Sequence, residues 1–135
     1  MKIGELMTRN VKTLSADEKV IDHLGIFKEN KFHHIPVTGT GDEVVGMVSS
    51  TDFRNYTNLV RILDTRAKPV LLRDIMSSPV VALYEHQETA EAARAMVDNV
   101  IHAVIVVGES GSMSGILTST DLLRYMAENG ESPAS

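Results

Sequence analysis

Apolar positions along the chain change period in a fixed order, and the order occurs twice. Val20, Leu24 and Phe27 recur at spacings of four and three, which places them on one helical face. Ala93, Met96, Val97 and Val100 repeat the arrangement further on. Ahead of the first run, Ser15-Ala16-Asp17-Glu18 has the form of a capping box, in which a serine oxygen and a glutamate each satisfy a free helix amide. The spacing predicts a helix starting there. Phe32 to Val37 and Val100 to Val107 are runs of strand length. Gly39-Thr40-Gly41-Asp42 and Gly108-Glu109-Ser110-Gly111 supply the positive-φ residues of hairpin turns, and Val44 to Val48 and Met113 to Leu117 are the return strands. After each return strand, Ser/Thr-x-Thr-Asp opens a second helix. In the first copy Tyr56, Leu59, Val60 and Leu63 add an amphipathic turn or two, which Lys68-Pro69 breaks. Each unit reads strand, helix, strand, strand, helix.

The two units are copies. A shift of 69 residues aligns Lys2–Tyr56 with Leu71–Tyr125 without a gap, and 12 of those 55 positions are identical, among them His33/His102, Gly46/Gly115, Ser50/Ser119, Thr51/Thr120 and Asp52/Asp121. Units this short bury little apolar surface alone, so the two are expected to share one core across a pseudo-twofold axis. The predicted architecture is α/β of the α+β kind: two βαββα repeats forming one compact module. Repeat 1 spans 1–60, a linker 61–70, repeat 2 71–127, and a disordered tail 128–135.

A length of 135 residues and a content of 43% hydrophobic and 23% charged residues suit one globular module and exclude disorder and coiled coil. No apolar run reaches the roughly 18 residues that cross a bilayer, and the opening Met1-Lys2-Ile3-Gly4-Glu5-Leu6 lacks the layout of a signal peptide. A soluble, cytoplasmic protein without membrane contact is expected. With no cysteine there are no disulfides, thiolate metal sites or cysteine nucleophiles. The net charge of −5 disfavours nucleic acid as a partner. It is unevenly spread: residues 1–69 carry ten Lys/Arg and nine Asp/Glu, whereas residues 70–135 carry three and nine.

The phrases Phe32-His33-His34-Ile35-Pro36-Val37 and Gly46-Met47-Val48-Ser49-Ser50-Thr51-Asp52 resemble the CBS domain, named for cystathionine β-synthase. Val100-Ile101-His102-Ala103-Val104-Ile105-Val106 and Gly115-Ile116-Leu117-Thr118-Ser119-Thr120-Asp121 resemble it again, in phase. The resemblance covers about residues 1–127. It implies a tandem pair, commonly a homodimer, that binds adenosine-containing ligands in clefts between the repeats and signals to a partner protein. The second copy departs from the family pattern by carrying Ile105 where the first has Pro36.

The repeated phrase has chemistry of its own. An ionised carboxylate only accepts hydrogen bonds, so Asp52 or Asp121 can take both hydroxyls of a ribose diol. Where water is excluded, such charge-assisted bonds contribute roughly 1.5 to 3 kcal/mol. A helix N-terminus at the same point favours phosphate oxygens, and Ser49, Thr51, Thr118 and Thr120 add hydroxyls. The plainer alternative is that Ser/Thr-x-x-Asp caps a helix and does nothing more. By resemblance, the other repeat completes each cleft. Asp121, with Thr118 and Thr120, is joined by Thr8, Thr13, His33 and His34; Asp52, with Ser49 and Thr51, is joined by Ser77, Ala82, His102 and Ala103. Because the first grouping draws on the half with Arg9, Lys12, Lys31 and two histidines, Asp121 is expected to anchor the stronger site.

No catalytic residues and no metal are expected. Adjacent strand residues face opposite ways, so His33 and His34 cannot chelate one ion as a local pair. Neither a Gly-x-Ser-x-Gly nucleophile elbow nor a glycine-rich phosphate loop occurs. The reading is therefore a regulatory sensor of AMP, or of ADP, ATP or S-adenosylmethionine, with no further cofactor. The alternative is a dimerisation scaffold whose clefts hold no ligand.

Overall fold

The computed structural model describes residues 1–30, 32–62 and 69–130. Lys31, most of the expected linker with Leu63 and Lys68, and tail residues 131–135 lie outside the described residues. The chain forms two compact units, one of residues 12–80 and one of residues 1–11 with 81–135.

In the first of these, β1 (Leu14–Ser15) lies parallel to β2 (His34–Thr38), which is antiparallel to β3 (Val44–Ser49). Between β1 and β2 run a 3-10 turn, Val20–His23, and α2, Ile26–Glu29; α3, Ser50–Ile62, follows β3. The other unit repeats the plan with β4 (Ala82–Tyr84), α5 (Thr89–Asn99), β5 (Ala103–Val107), β6 (Met113–Thr118) and α6 (Ser119–Asn129). Its strand order β4-β5-β6 and directions are the same. The βαββα order read from the sequence is the order observed. The last helix runs to Asn129 and ends on Gly130 at φ 71°, so the first two residues of the expected tail are helical.

The capping-box reading needs correction. Glu18 Oε2 accepts from the Ser15 amide at 2.6 Å, yet this closes a turn after β1, and helical structure starts only at Val20. The same turn recurs where Gln87 Oε1 accepts from the Tyr84 amide at 2.8 Å. The expected first helix is also split, whereas its copy α5 is continuous. Gly25 sits at the break where α5 has Arg94, and glycine is about 1 kcal/mol poorer than alanine inside a helix.

Two short helices escaped the periodicity, α1 (Ile3–Leu6) and α4 (Leu72–Ile75). They carry an exchange of segments. Residues 1–11 pack on the body of repeat 2, where Ile3 donates to Gln87 O and Thr89 donates to Met1 O. Residues 70–80 pack on the body of repeat 1, where Leu72 donates to Glu18 O and Val20 donates to Val70 O. Most buried apolar residues accordingly gather in two clusters, one within each unit. Each repeat body fills its core with the entry segment of the other: Leu72 is wholly buried among Val20, Ile35, Val37 and Val48, and Ile3 among Ala92, Val104, Val106 and Leu117.

The entry segment then crosses the return strand. Met47 and Ser77 exchange backbone hydrogen bonds of 2.9 and 3.0 Å, as do Ile116 and Thr8 at 2.8 and 3.0 Å. This close approach explains the glycine of the repeated phrase. A β-carbon on Gly115 would overlap the Thr8 carbonyl oxygen, and one on Gly46 would overlap the Met76 thioether. Pro36 explains a further difference. Ile105 donates to Val81 O at 2.9 Å, which lets β4 pair from Ala82 onward. Proline has no N–H to give, so β1 pairs only from Leu14 and Thr13 stays outside the ladder.

Candidate functional site

Each β-strand-to-helix turn is built around its aspartate. Asp52 Oδ2 accepts from the Ser49 amide at 2.8 Å and the Ser49 hydroxyl at 3.0 Å, while the Asp52 amide donates to Ser49 Oγ at 3.2 Å. In the other unit Asp121 Oδ2 accepts from the Thr118 amide at 2.9 Å, and the Asp121 amide donates to Thr118 Oγ1 at 3.1 Å. Capping therefore occupies one carboxylate oxygen of each pair. The fates of the second oxygens differ. Asp121 Oδ1 lies 3.5 Å from Arg124, and its side chain is nearly buried. Asp52 Oδ1 accepts no hydrogen bond among the described residues.

The first turn of each helix also keeps a donor in reserve. The Ser50 amide donates to His33 O at 3.0 Å and the Ser119 amide to His102 O at 2.9 Å. Among the described residues the amides of Thr51 and Thr120 have no acceptor. Each turn thus presents an amide, a threonine hydroxyl and a carboxylate within one helical turn, which is the chemistry that a ribose diol with a nearby phosphate requires.

The antiparallel register decides which candidates accompany each aspartate inside a unit. His34 pairs with Ser49, and Thr13 lies one residue before the Leu14–Val37 pair, so Thr13, His33 and His34 belong with Ser49, Thr51 and Asp52. Ser77 is in this unit too, bonded to Met47 two residues before Ser49. Ala103 pairs with Thr118, and Ala82, His102 and Ala103 belong with Thr118, Thr120 and Asp121; so does Thr8, bonded to Ile116.

His33, His34 and Thr13, expected around Asp121, share a unit with Asp52, while Ala82, His102 and Ala103, expected around Asp52, share one with Asp121. Within each hairpin the two strands run antiparallel, so the start of one lies beside the end of the other. Lys12 is in the unit of Asp52, which holds nine Lys/Arg and nine Asp/Glu, against four and nine in the unit of Asp121. Arg9 is in the acidic unit, 3.3 Å from Glu85.

One cleft involving these candidates lies wholly in the unit of residues 12–80. It encloses about 530 Å³ between α2 and α3, and His33 lines it with Phe27, Lys28, Phe53 and Arg54. Asp52 and Thr51 do not. No sequence signal beyond scattered basic residues marked this cleft, because its lining is assembled from two helices and a strand end.

Among the described residues no helix is long and apolar enough to cross a membrane, and no group of three or more metal-ligating side chains converges.

Residues 3–58 and 72–128 each match the CBS domain. The chain belongs to the CBS domain family. Over 126 residues it is 29% identical to the uncharacterized protein MK0525 of Methanopyrus kandleri, a match that takes in 92% of this chain and 62% of that protein. It spans between 23% and 62% of the length of the first curated relatives it matches. Among solved structures, the CBS domain pair of protein MJ0100, in complex with 5'-methylthioadenosine and S-adenosyl-L-methionine, superposes with a TM-score of 0.78 at 20% identity, covering 95% of this chain and 97% of that one. CBSX2, in complex with AMP, gives a TM-score of 0.75 at 23% identity, covering 96% and 98%. At these identities the two structures share the fold of the CBS pair.

Proposed function

We propose that this CBS pair is a regulatory sensor that binds an adenosine-containing ligand, AMP foremost, and relays occupancy to a partner protein through the conformation of a homodimer. The observation that carries this reading is the twice-built Ser/Thr-x-x-Asp turn, above all Asp52, whose one oxygen caps α3 while the other is open. The open oxygen accepts a ribose hydroxyl, and the Thr51 amide and hydroxyl face a phosphate at a helix N-terminus. The ligand class is supported by the similar solved structures, the MJ0100 CBS domain pair in complex with 5'-methylthioadenosine and S-adenosyl-L-methionine and CBSX2 in complex with AMP. ATP and ADP share the same recognition elements.

We assign the first site to Ser49, Thr51 and Asp52, with Thr13, His33, His34 and Ser77 as neighbours. The second comprises Thr118, Thr120 and Asp121, with Thr8, Ala82, His102 and Ala103. Asp52 is proposed as the stronger anchor for an anion, because its unit carries no excess negative charge and Arg124 already engages Asp121. A sensor also needs two conformations with different ligand affinity, since a ligand shifts an equilibrium only by that difference.

Isothermal titration of AMP, ATP and S-adenosylmethionine into wild type, Asp52→Ala and Asp121→Ala tests the reading. Asp52→Ala is expected to weaken AMP by roughly 10- to 100-fold, the equivalent of a lost charge-assisted bond. Wild-type affinity in both variants overturns the site assignment.

A second reading, a scaffold with empty clefts, draws on exposed apolar side chains: Val97 on α5 and Leu123 and Met126 on α6. It wins if millimolar nucleotide leaves Tm unchanged while sedimentation reports a dimer.

A further inference from the structure

We infer that the cleft between α2 and α3 is a separate binding site for a small anion with an apolar body, such as an aromatic carboxylate or sulfonate. The inference does not rest on the adenosine reading. The cleft encloses about 530 Å³, in the range of small-molecule pockets. Its floor is an aromatic pair: Phe27 and Phe53 meet edge to face with centroids 5.0 Å apart, and Phe53 is buried. Its rim is cationic. Lys28 and Arg54 both line it, with His33 between the helix ends, and no acidic side chain among the described residues does so. In a chain with five more acids than bases, cations ordinarily find carboxylates. Among the described residues Lys28 and Arg54 form no ion pair.

The duplication supplies the comparison that gives this arrangement meaning. The 69-residue shift takes Lys28 to Val97, Arg54 to Leu123 and Thr57 to Met126. Those three are exposed hydrocarbon in the other unit. Equivalent positions on two helices are thus apolar in one unit and cationic beside an aromatic pair in the other. A shared structural duty does not call for that divergence, whereas an amphipathic anion fits both parts of the cleft: the rings take its body and the guanidinium and ammonium take its charge.

The test is an NMR titration of the whole chain with naphthalene-2-sulfonate, with uncharged naphthalene-2-methanol as control. Saturable shifts are expected at Phe53, Arg54 and Thr57 with the sulfonate, and markedly weaker binding with the alcohol. Giving the cleft its sister's residues, Lys28→Val with Arg54→Leu, is expected to weaken the sulfonate by roughly tenfold or more, one charge-assisted contact at least being lost. If that double variant does not fold, Arg54→Gln reads the same contact. Equal affinity for sulfonate and alcohol, unchanged affinity in the variants, or shifts centred elsewhere would each overturn the site. Saturation by a poly-glutamate peptide without any response to the sulfonate would overturn the small-ligand assignment in favour of an acidic protein partner.

Discussion

The carbonyl oxygen of Thr8 lies against the α-carbon of Gly115, held there by the hydrogen bonds that Thr8 and Ile116 exchange in both directions. The glycine of the repeated phrase is therefore a spacing device for the entry segment, three residues upstream of the Thr118–Asp121 cap.

Gly115→Ala should destabilise the protein by about 1–3 kcal/mol, as overpacking against backbone does. Gly46→Ala should cost less, since the first atoms met there belong to the flexible Met76 side chain, although the Ser77 carbonyl stands 3.0 Å away. Urea denaturation of both variants checks the order. A larger loss at Gly46 would contradict it.

Val100 closes α5 in the left-handed region, at φ 53° and ψ 52°, a conformation that a β-branched residue adopts at a cost. Its side chain is 85% exposed, so removing it empties no core. Val100→Gly is expected to raise stability by about 1 kcal/mol, with glycine's larger unfolded-state entropy limiting the gain. An unchanged or lowered denaturation midpoint would show that the exposed valine contributes elsewhere.

Removing the extra ladder bond of β4 should make the second unit resemble the first. Ile105→Pro deletes the donor to Val81 O and is predicted to cost about 1–3 kcal/mol, the penalty of a buried polar group left without its partner. Hydrogen exchange should show faster exchange at the neighbouring amides of β4. Unaltered protection there would argue against the role given to Pro36 in shortening β1.

Glu88 receives Lys2 Nζ at 2.7 Å and the terminal ammonium at 3.1 Å. The hydrogen bond from Lys2, ahead of the ammonium, holds its carboxyl below the ordinary 4.5, and the same bond lifts Lys2 above 10.5. A depressed carboxylate contributes stability that is present above its unfolded value and lost as pH falls through the folded one; a raised lysine contributes below its unfolded value and loses that as pH rises through the folded one. The Tm gap between wild type and Glu88→Gln should therefore be flat through neutral pH, close as pH falls below 4.5, and narrow above 10.5. Added salt should shrink it, because both groups are exposed. A gap that widens in acid would reverse the sign of the interaction.

Much of this molecule was legible before folding because its signals are local and doubled. Alternating and helical periods located β2, β3, β5, β6, α5 and the starts of α3 and α6, and the in-phase phrases located both aspartates. Other features were hidden for physical reasons. Helices of four residues, α1 and α4, are too short to show a period, although Glu5 and Asp74 each accept from an amide three residues back and mark their starts. Ser15 to Glu18 has the composition of a helix cap, but the turn it closes leads into a 3-10 segment. Arg124 beside Asp121 is an ordinary helical i,i+3 neighbour whose effect on the carboxylate depends on where Oδ1 points.

The sequence by itself determined the duplication, the βαββα order and the two Ser/Thr-x-x-Asp turns, since each is written in residues close along the chain. Tertiary structure decided the rest: that each repeat completes its core with the other's entry segment, that His33 and His34 share a unit with Asp52, and that Lys28 and Arg54 line one cleft with an aromatic pair. These depend on pairings between residues tens of positions apart. Register and burial select such pairings, and no local period records them.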